Sequence, residues 1–565
     1  MYRVGLSGLK IGEKGIPRQN SWHFNGFRWR SRFKLIGVFC LCFWLSVSCA
    51  QPFSQTPSTL DPNRITIGTT LKPRTLDPAD AYEVISGSLL YNLGDRLYDY
   101  EVGTTTLKPQ LAKALPTVSD DNLTYTIPLR QDVVFHDGTP FNAAAMVFSL
   151  ERFIENGGPP SSLLSDTVAS IEATADYELT LKLKRPFAAL PSLLTFTGMC
   201  ALSPTAYEKG EGKFQPQNFV GTGPYQLAEF GVDVIRLNQF EQYWGEKPRN
   251  SGIDVQLFSS GANLFNAFRS QGIDVAYLSL QADQITRLRE GAEQQQWQMI
   301  EADGSSISYM VLNVNLDPLN QPEVRQAMAA MMDRPLITQR VLQGQGEPLY
   351  SLIPTTFTEY QPVFQTAYGD GDFEQAKSLL KQAGYTPENP AIVELWHASN
   401  SQVGSVFALT LKALANKKLE GLLQVEPKSV ESATAFQNLD KGIYPTFMLD
   451  WYADFLDADN YIQPFVDCAN GSEQNGCVQG ASQYQGSFYY SDRMNQLIDR
   501  QRQEQDPKTR EAIFKEIQRL TAEDVPFIPL WQDKTYVFAQ NKIENLRIQI
   551  TQHIPFWVLS KSAES

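Results

Sequence analysis

Histidine is scarce in this sequence: four residues in 565, at His23, His136, His397 and His553. That leaves little room for a His-rich metal site. Six cysteines in so long a chain exclude a disulfide-dense mini-domain. Basic residues are the minority, 48 against 62 acidic ones, for a net charge of −14. Nucleic acid binding through a broad basic surface is therefore not expected. Charged residues make up 19% against 42% hydrophobic, too little charge for a disordered chain. Local catalytic signatures are missing: no Gly-x-Ser-x-Gly elbow, no His-Glu-x-x-His, no Cys-x-x-Cys and no phosphate loop ending in Gly-Lys-Ser/Thr. Gly221-Thr222-Gly223 opens like a dinucleotide loop, but Pro224 and Tyr225 follow and no third glycine arrives in register, so a tight turn is expected. Asp370, Asp372 and Glu374 have the spacing of a calcium loop's first ligands. Leu379, Leu380 and Lys381 then stand where that loop needs acceptors, so acidic capping of a helix starting near Phe373 is the better expectation. No enzyme activity, cofactor or metal is expected.

What is present is aromatic and exported in character. The 23 Tyr, 32 Phe and 9 Trp exceed what a plain scaffold needs. Residues 1–48 hold eight basic residues and one acid, whereas residues 49–565 carry a net charge of −21. Arg28, Arg30, Arg32 and Lys34 precede the uncharged run Leu35 to Val47, 13 residues long. A basic flank, a short apolar run and then small residues make a secretory signal, and the run is too short to span a bilayer. It ends in Leu45-Ser46-Val47-Ser48-Cys49, which resembles a bacterial lipobox, with Ser46 in the place where that pattern has Leu. The resemblance implies lipidation at Cys49 and anchoring to a membrane through the lipid. Residues 50–63 are polar and Pro-bearing, as a tether should be. Thereafter no apolar stretch of 18 residues occurs.

The body of about 500 residues mixes two periodicities. Ile65 to Thr70, Leu123 to Arg130 and Leu179 to Leu183 alternate as strands do. Ala143 to Ile154 behind Asn142, Pro322 to Met332, Phe373 to Ala383 before Gly384, and Arg510 to Ala522 read as helices. The class is mixed α/β without a repeat, its domains joined by short strand crossings.

Several segments, in order, resemble the bacterial extracellular solute-binding proteins of family 5, the peptide, nickel and opine class serving ABC importers. They include Ala114 to Arg152, with Asp137-Gly138-Thr139-Pro140; Val220 to Tyr225; Tyr243-Trp244; Gly272 to Ala276; Val324 to Ala327 with Asp333-Arg334; Ala383-Gly384-Tyr385; and Trp451 to Phe455 with Asp457. Ala145 departs from the family's usual Asp. The resemblance implies a bilobed periplasmic-binding-protein clamshell of the cluster C type, with an extra subdomain in the first lobe. On this chain it implies a signal peptide over 1–48, a tether over 49–63, lobe I over 64–312 with the subdomain at about 82–220, lobe II over 313–525 and a return over 526–565. The crossings are expected near Tyr309 to Asn315 and Val525 to Trp531.

The segment Leu449 to Asp459 sets four carboxylates around three aromatics, a composition suited to caging a cation. In the family's peptide binders the acid of such a segment pairs with the peptide's α-ammonium, and Asp454 stands there. Trp451 and Tyr452 would flank the ligand, with the Tyr452 backbone pairing like an added strand. Asp454 and Asp457 shaping a turn around a core Trp451 is the structural alternative. Trp396, His397, Ser399 and Asn400 look like a second cleft-facing loop, in which His397 is equally readable as a structural histidine. Arg74 and Thr75 border the pocket in this reading. Neither Arg nor Lys occurs between Leu395 and Thr410 to fix a dipeptide carboxylate, which favours longer peptides. Cys468 and Cys477 are expected to form a disulfide in an oxidising compartment, and Cys200 to be an inert buried thiol. The expected function is an importer's peptide receptor, monomeric, partnered by an ABC permease and localised to the periplasm on a lipid anchor. A receptor for a nickel chelate, opine, glutathione or sugar, and a secreted enzyme or peptide-holding chaperone, are the alternatives.

Overall fold

The computed structural model describes residues 61–562 except Ser279. The expected signal peptide, Cys49 and the expected tether as far as residue 60 lie outside the described residues. Ile65 and Ile67 turn their side chains into a core from the strand Arg64–Thr69, as the alternation predicts. This strand pairs in parallel with Gly252–Leu257 and Val275–Tyr277 inside a mixed sheet of eleven strands. Its middle is formed by two long strands, Gln298–Leu312 and Phe527–Ala539, lying antiparallel to each other. On one side of them come Thr446–Trp451, Ala391–Ala398 and Leu423–Val430.

The long strands serve two cores. Val537 and Ala539 pack with Ile65, Ile67 and Val275, whereas Met310, Leu312, Ile528 and Leu530 pack with Val393 and Leu395. The fold is the bilobed one expected. Between Asp303 and Ile307 the ladder breaks register, and from Ile307 onward the first long strand also pairs with Thr446–Trp451. Such a bulge bends a strand where it changes partners. The first long strand stops at Leu312, short of the expected Asn315, because the Asn313 carboxamide accepts the Asn315 N–H at 3.1 Å and turns the chain.

A second sheet, of four strands from Thr117–Val118 to Glu178–Leu183, is covered by the helix Ala143–Glu155. Its core gathers Tyr125, Ile127, Phe135, Phe141, Leu150 and Leu181. The expected caps are in place: Asn142 accepts from Ala145 N and Asp372 from Gln375 N, each at 2.9 Å. Gly223 donates to the Leu93 carbonyl at 3.0 Å, and a Cβ there would stand 2.5 Å from that carbonyl carbon. The glycine serves a close backbone approach. Cys468 and Cys477 are bonded, with Cα atoms 5.7 Å apart, across a short hairpin. Cys200 is buried, and burial pushes its thiol up to about 12. The described chain begins and ends on the same lobe, where Lys561 Nζ donates to the Arg64 carbonyl at 2.5 Å. Among the described residues no helix is long and apolar enough to cross a membrane.

Arg152, on the subdomain helix, grips Asp77 with two bonds of 2.8 and 2.6 Å, and both side chains are buried. Asp77 also accepts the backbone N–H groups of Ala79 and Gln215. Removing the acid strands a buried guanidinium. Asp77→Ala should therefore cost about 3–5 kcal/mol, read as a lower urea midpoint; an unchanged midpoint would show that the pair is not needed.

Candidate ligand-binding cleft

The candidate segment starts on the strand Thr446–Trp451, whose side chains alternate between two faces. Ile307 lies opposite Trp451, and Ser308 opposite Asp450. Trp451 turns toward a core, its ring centroid 5.3 Å from Phe465 in an edge-to-face contact. Its Nε1 is buried without a hydrogen-bond partner. Asp450, on the other face, is open to water and accepts from Ser308 Oγ at 2.5 Å.

Past Trp451 the chain leaves the sheet, and Asp454 is pinned by its own backbone: its N–H donates to Asn460 Oδ1 at 2.9 Å. Asn460 belongs to the short helical turn Ala458–Tyr461. Two arginines hold that turn. Arg510 donates to both oxygens of Asp457 at 2.8 and 2.7 Å, and Arg502 to both of Asp459 at 2.8 and 2.7 Å. Thus two of the segment's four carboxylates are structural, and they fix the placement of a third.

Tyr82 reaches Asp454 from 372 positions away, its hydroxyl donating to Oδ1 at 2.9 Å. Its ring stands edge-on to Phe196. Arg74 braces the loop that carries Tyr82 through bonds to Asp80 and Glu83. Thr75 is fully buried; its Oγ1 accepts the Asp77 N–H and its carbonyl accepts from Ser86. Arg74 and Thr75 thus shape the loop bearing Tyr82, a residue that no local pattern marks. Around this point the subdomain meets the other lobe: Phe455 packs edge-on to Phe187, Leu456 N donates to Tyr100 Oη at 2.9 Å, and Ala188 N donates to the Arg502 carbonyl at 2.7 Å.

The second loop divides. Trp396 is half-buried against Tyr444, with Nε1 donating to Glu394. His397 is buried beside Gly404, and its Nδ1 donates to the Ala398 carbonyl at 2.9 Å. Ser399 and Asn400 are exposed at the strand's end, and Asn400 accepts from Ser432. A surface pocket of about 400 Å³ between helices, lined by Val363, Tyr368, Leu379 and Arg519, shares no residue with any of these.

A model of the bacterial extracellular solute-binding proteins, family 5 (middle region), matches residues 106–473. The chain belongs to this family. It is the substrate-binding component of an ABC importer, of an extracellular or periplasmic class whose members are binding proteins rather than enzymes. The glutathione-binding protein GsiB of Escherichia coli K12 is 27% identical over 472 residues, covering 81% of this chain and 87% of that one. HbpA2 of Haemophilus parasuis superposes with a TM-score of 0.77 at 20% identity, covering 88% of this chain and all of that one. DppA of Helicobacter pylori, in complex with the peptide STSA, gives 0.68 at 23% identity over 88% and 98% of the two chains. NikZ of Campylobacter jejuni, in complex with Ni(L-His), gives 0.70 at 18% identity over 88% and 99%.

A further carboxylate, Asp533 on the second long strand, accepts from Ser306 Oγ at 2.5 Å. Burial pushes it up to about 7, and the charge of Asp450 adds to the rise. Asp450 is raised as well, by loss of hydration around the carboxyl although the residue as a whole is exposed, and Ser308 opposes the shift. The folded protein therefore favours protonated Asp533. The stabilisation is full below the unfolded carboxylate range, about pH 4, and is lost as pH rises toward 7. Asp533→Asn, which keeps an acceptor for Ser306, should be more stable than the natural protein at pH 8 by about 1–2 kcal/mol, with discount for the water that reaches the cleft. The gap should narrow toward pH 5. Melting temperatures of both proteins at the two pH values test this; equal differences would show no strained carboxylate.

Proposed function

We propose that this receptor captures peptides between its lobes and hands them to an ABC permease, with Asp454 anchoring the peptide's α-ammonium. The observation that carries this reading is the contact between Tyr82 and Asp454, with the carboxylate's own backbone pinned by Asn460. An ammonium has three donors, and a carboxylate beside a phenolic oxygen offers it acceptors from two directions. The Tyr452 backbone, just past the strand's end, supports pairing with an extended ligand. Trp396, Ser399 and Asn400 would border the bound chain, with His397 as a support behind them. In this reading lobe I spans 64–312 with the subdomain at 82–220, lobe II spans 313–525, and 526–565 return to lobe I. The receptor works as a monomer.

Asp454→Asn should weaken peptide binding by about 2–5 kcal/mol, the loss usual when one partner of a buried charged pair is truncated. N-acetylation of the peptide should cost a similar amount, and the two changes together should cost less than their sum. Calorimetry on the four combinations, with glutathione as an added ligand because it also presents an ammonium, decides the matter. Equal binding of free and acetylated peptide removes the amine anchor and puts a non-peptide ligand first.

We also propose that Cys49 is lipidated and holds the receptor at a membrane surface. Cys49→Ser should release the protein into the soluble fraction. Recovery of unmodified mature protein starting at another residue would rule the anchor out.

A further inference from the structure

We propose that the recess over Gly87, between Thr197 and His553, is a specificity subsite, and that it takes a short hydroxyl side chain borne near the free N-terminus of the bound peptide. This rests on the peptide reading above and names a side chain which that reading leaves open.

The recess begins with a glycine that its helix does not need. Gly87 is the fourth residue of the helix Val84–Leu93. Glycine weakens a helix interior relative to alanine. A Cβ at this position would stand 3.4 Å from Thr197 Oγ1 and 3.6 Å from His553 Cε1, and nothing else outside its own stretch of helix comes within 4 Å. Those are ordinary contacts. Neither crowding nor a left-handed backbone calls for glycine, yet the space of a side chain is left open.

Both flanking residues bring an unpaired polar atom to that space. Thr197 Oγ1 is the atom nearest to it; among the described residues it makes no hydrogen bond, and it is not sealed from solvent. The His553 ring is fixed from behind. It lies against Tyr91 with centroids 5.1 Å apart, and its Nδ1 is 3.3 Å from Ser88 Oγ. Ser88 gives its one hydrogen to the Val84 carbonyl at 3.0 Å, so this second contact runs from Nδ1–H to the serine oxygen. Nε2, bonded to the same Cε1 that faces Gly87, keeps its lone pair, and no donor among the described residues meets it. Loss of hydration, with the charge of Arg96 beside it, pushes His553 down to about 3 although the residue is half-exposed, so the ring is a neutral acceptor. Arg96 also disfavours a second cation here. The preceding turns of the loop bury Gln549 Oε1 and Thr551 Oγ1 without partners, so this loop's polar atoms are not satisfied by the fold. An uncharged O–H fits the pair that flanks Gly87: it can donate to His553 Nε2 and accept from Thr197.

A circuit of contacts sets the recess beside the amine anchor. Tyr82, which holds Asp454, stands edge-on to Phe196, the chain neighbour of Thr197. From His553 the circuit runs through Ser88 to Tyr277, whose hydroxyl donates to the Gln552 carbonyl. Burial raises Tyr277 and the nearby Tyr452 phenol adds to the rise. Tyr452 is two positions before Asp454. The circuit thus leaves the segment after Trp451 and returns to it, passing the recess on the way. A peptide whose ammonium sits on Asp454 brings the side chain of one of its first residues there.

The test is a set of free-amine alanine tetrapeptides carrying, at each of the first three positions in turn, threonine or valine, which has nearly the same shape without the hydroxyl. Calorimetry reads the affinities. At one position threonine should bind more tightly than valine by about fivefold or more, and in His553→Phe, which keeps a ring against Tyr91, the ratio should fall below about twofold. Gly87→Ala should keep or raise the urea midpoint of the empty protein while weakening the threonine peptide by about fivefold or more. The ratio in the natural protein needs no variant, and Gly87→Ala decides the matter where His553→Phe fails to fold. If free-amine peptides bind but threonine has no advantage at any position, the subsite is wrong and the amine anchor stands. If the advantage survives His553→Phe, or if Gly87→Ala binds the threonine peptide as the natural protein does, the hydroxyl is read elsewhere and the assignment falls. If no peptide of either kind binds, this proposal falls together with the peptide reading.

Discussion

The antiparallel pairing of Gln298–Leu312 with Phe527–Ala539 is the constraint from which the rest follows. Each strand feeds apolar side chains to two cores, so the lobes are not separate bodies joined by a tether. The same pairing fixes where chemistry can occur. Beside the register break at Asp303–Ile307 it brings together residues far apart in the chain. Ser306, Ser308, Asp450 and Asp533 all occupy that zone.

The segment after Trp451 illustrates how a fold spends its charges. Asp457 and Asp459 are locked by bidentate arginines, an arrangement that fixes a turn rigidly in a low-dielectric setting. Asn460 inside that turn holds Asp454 by its backbone, so the side chain of Asp454 stays available for Tyr82. A cluster that reads in the sequence as four equivalent acids is thus two anchors, one carboxylate fixed by them and one on the strand before, bonded to Ser308. Asp457 shapes the turn, as the structural alternative had it.

Much of the fold was legible because it rests on local rules. Asn142 and Asp372 act as caps where their spacing put them, and the alternation at Ile65 and Ile67 predicts which side chains turn inward. The limits are also physical. The strand expected to reach Asn315 ends at Leu312, since a carboxamide two residues away captures the backbone, and the alternating pattern carries no trace of that competition. Tyr82 was invisible because its partner lies 372 positions away and a lone tyrosine has no signature of its own. Arg74 and Thr75, read from the sequence as bordering a pocket, brace the loop that carries Tyr82. Asp533 was missed for the same reason as Tyr82: only the pairing of distant strands brings it beside Asp450.

Lys561 closing on the Arg64 carbonyl has a mechanical consequence. Both ends of the described chain leave from the core that holds Ile65 and Leu559, so a force applied through either end enters the molecule there. It reaches the rest through the two long strands and through the contacts of Phe455 with Phe187, Leu456 with Tyr100 and Ala188 with Arg502.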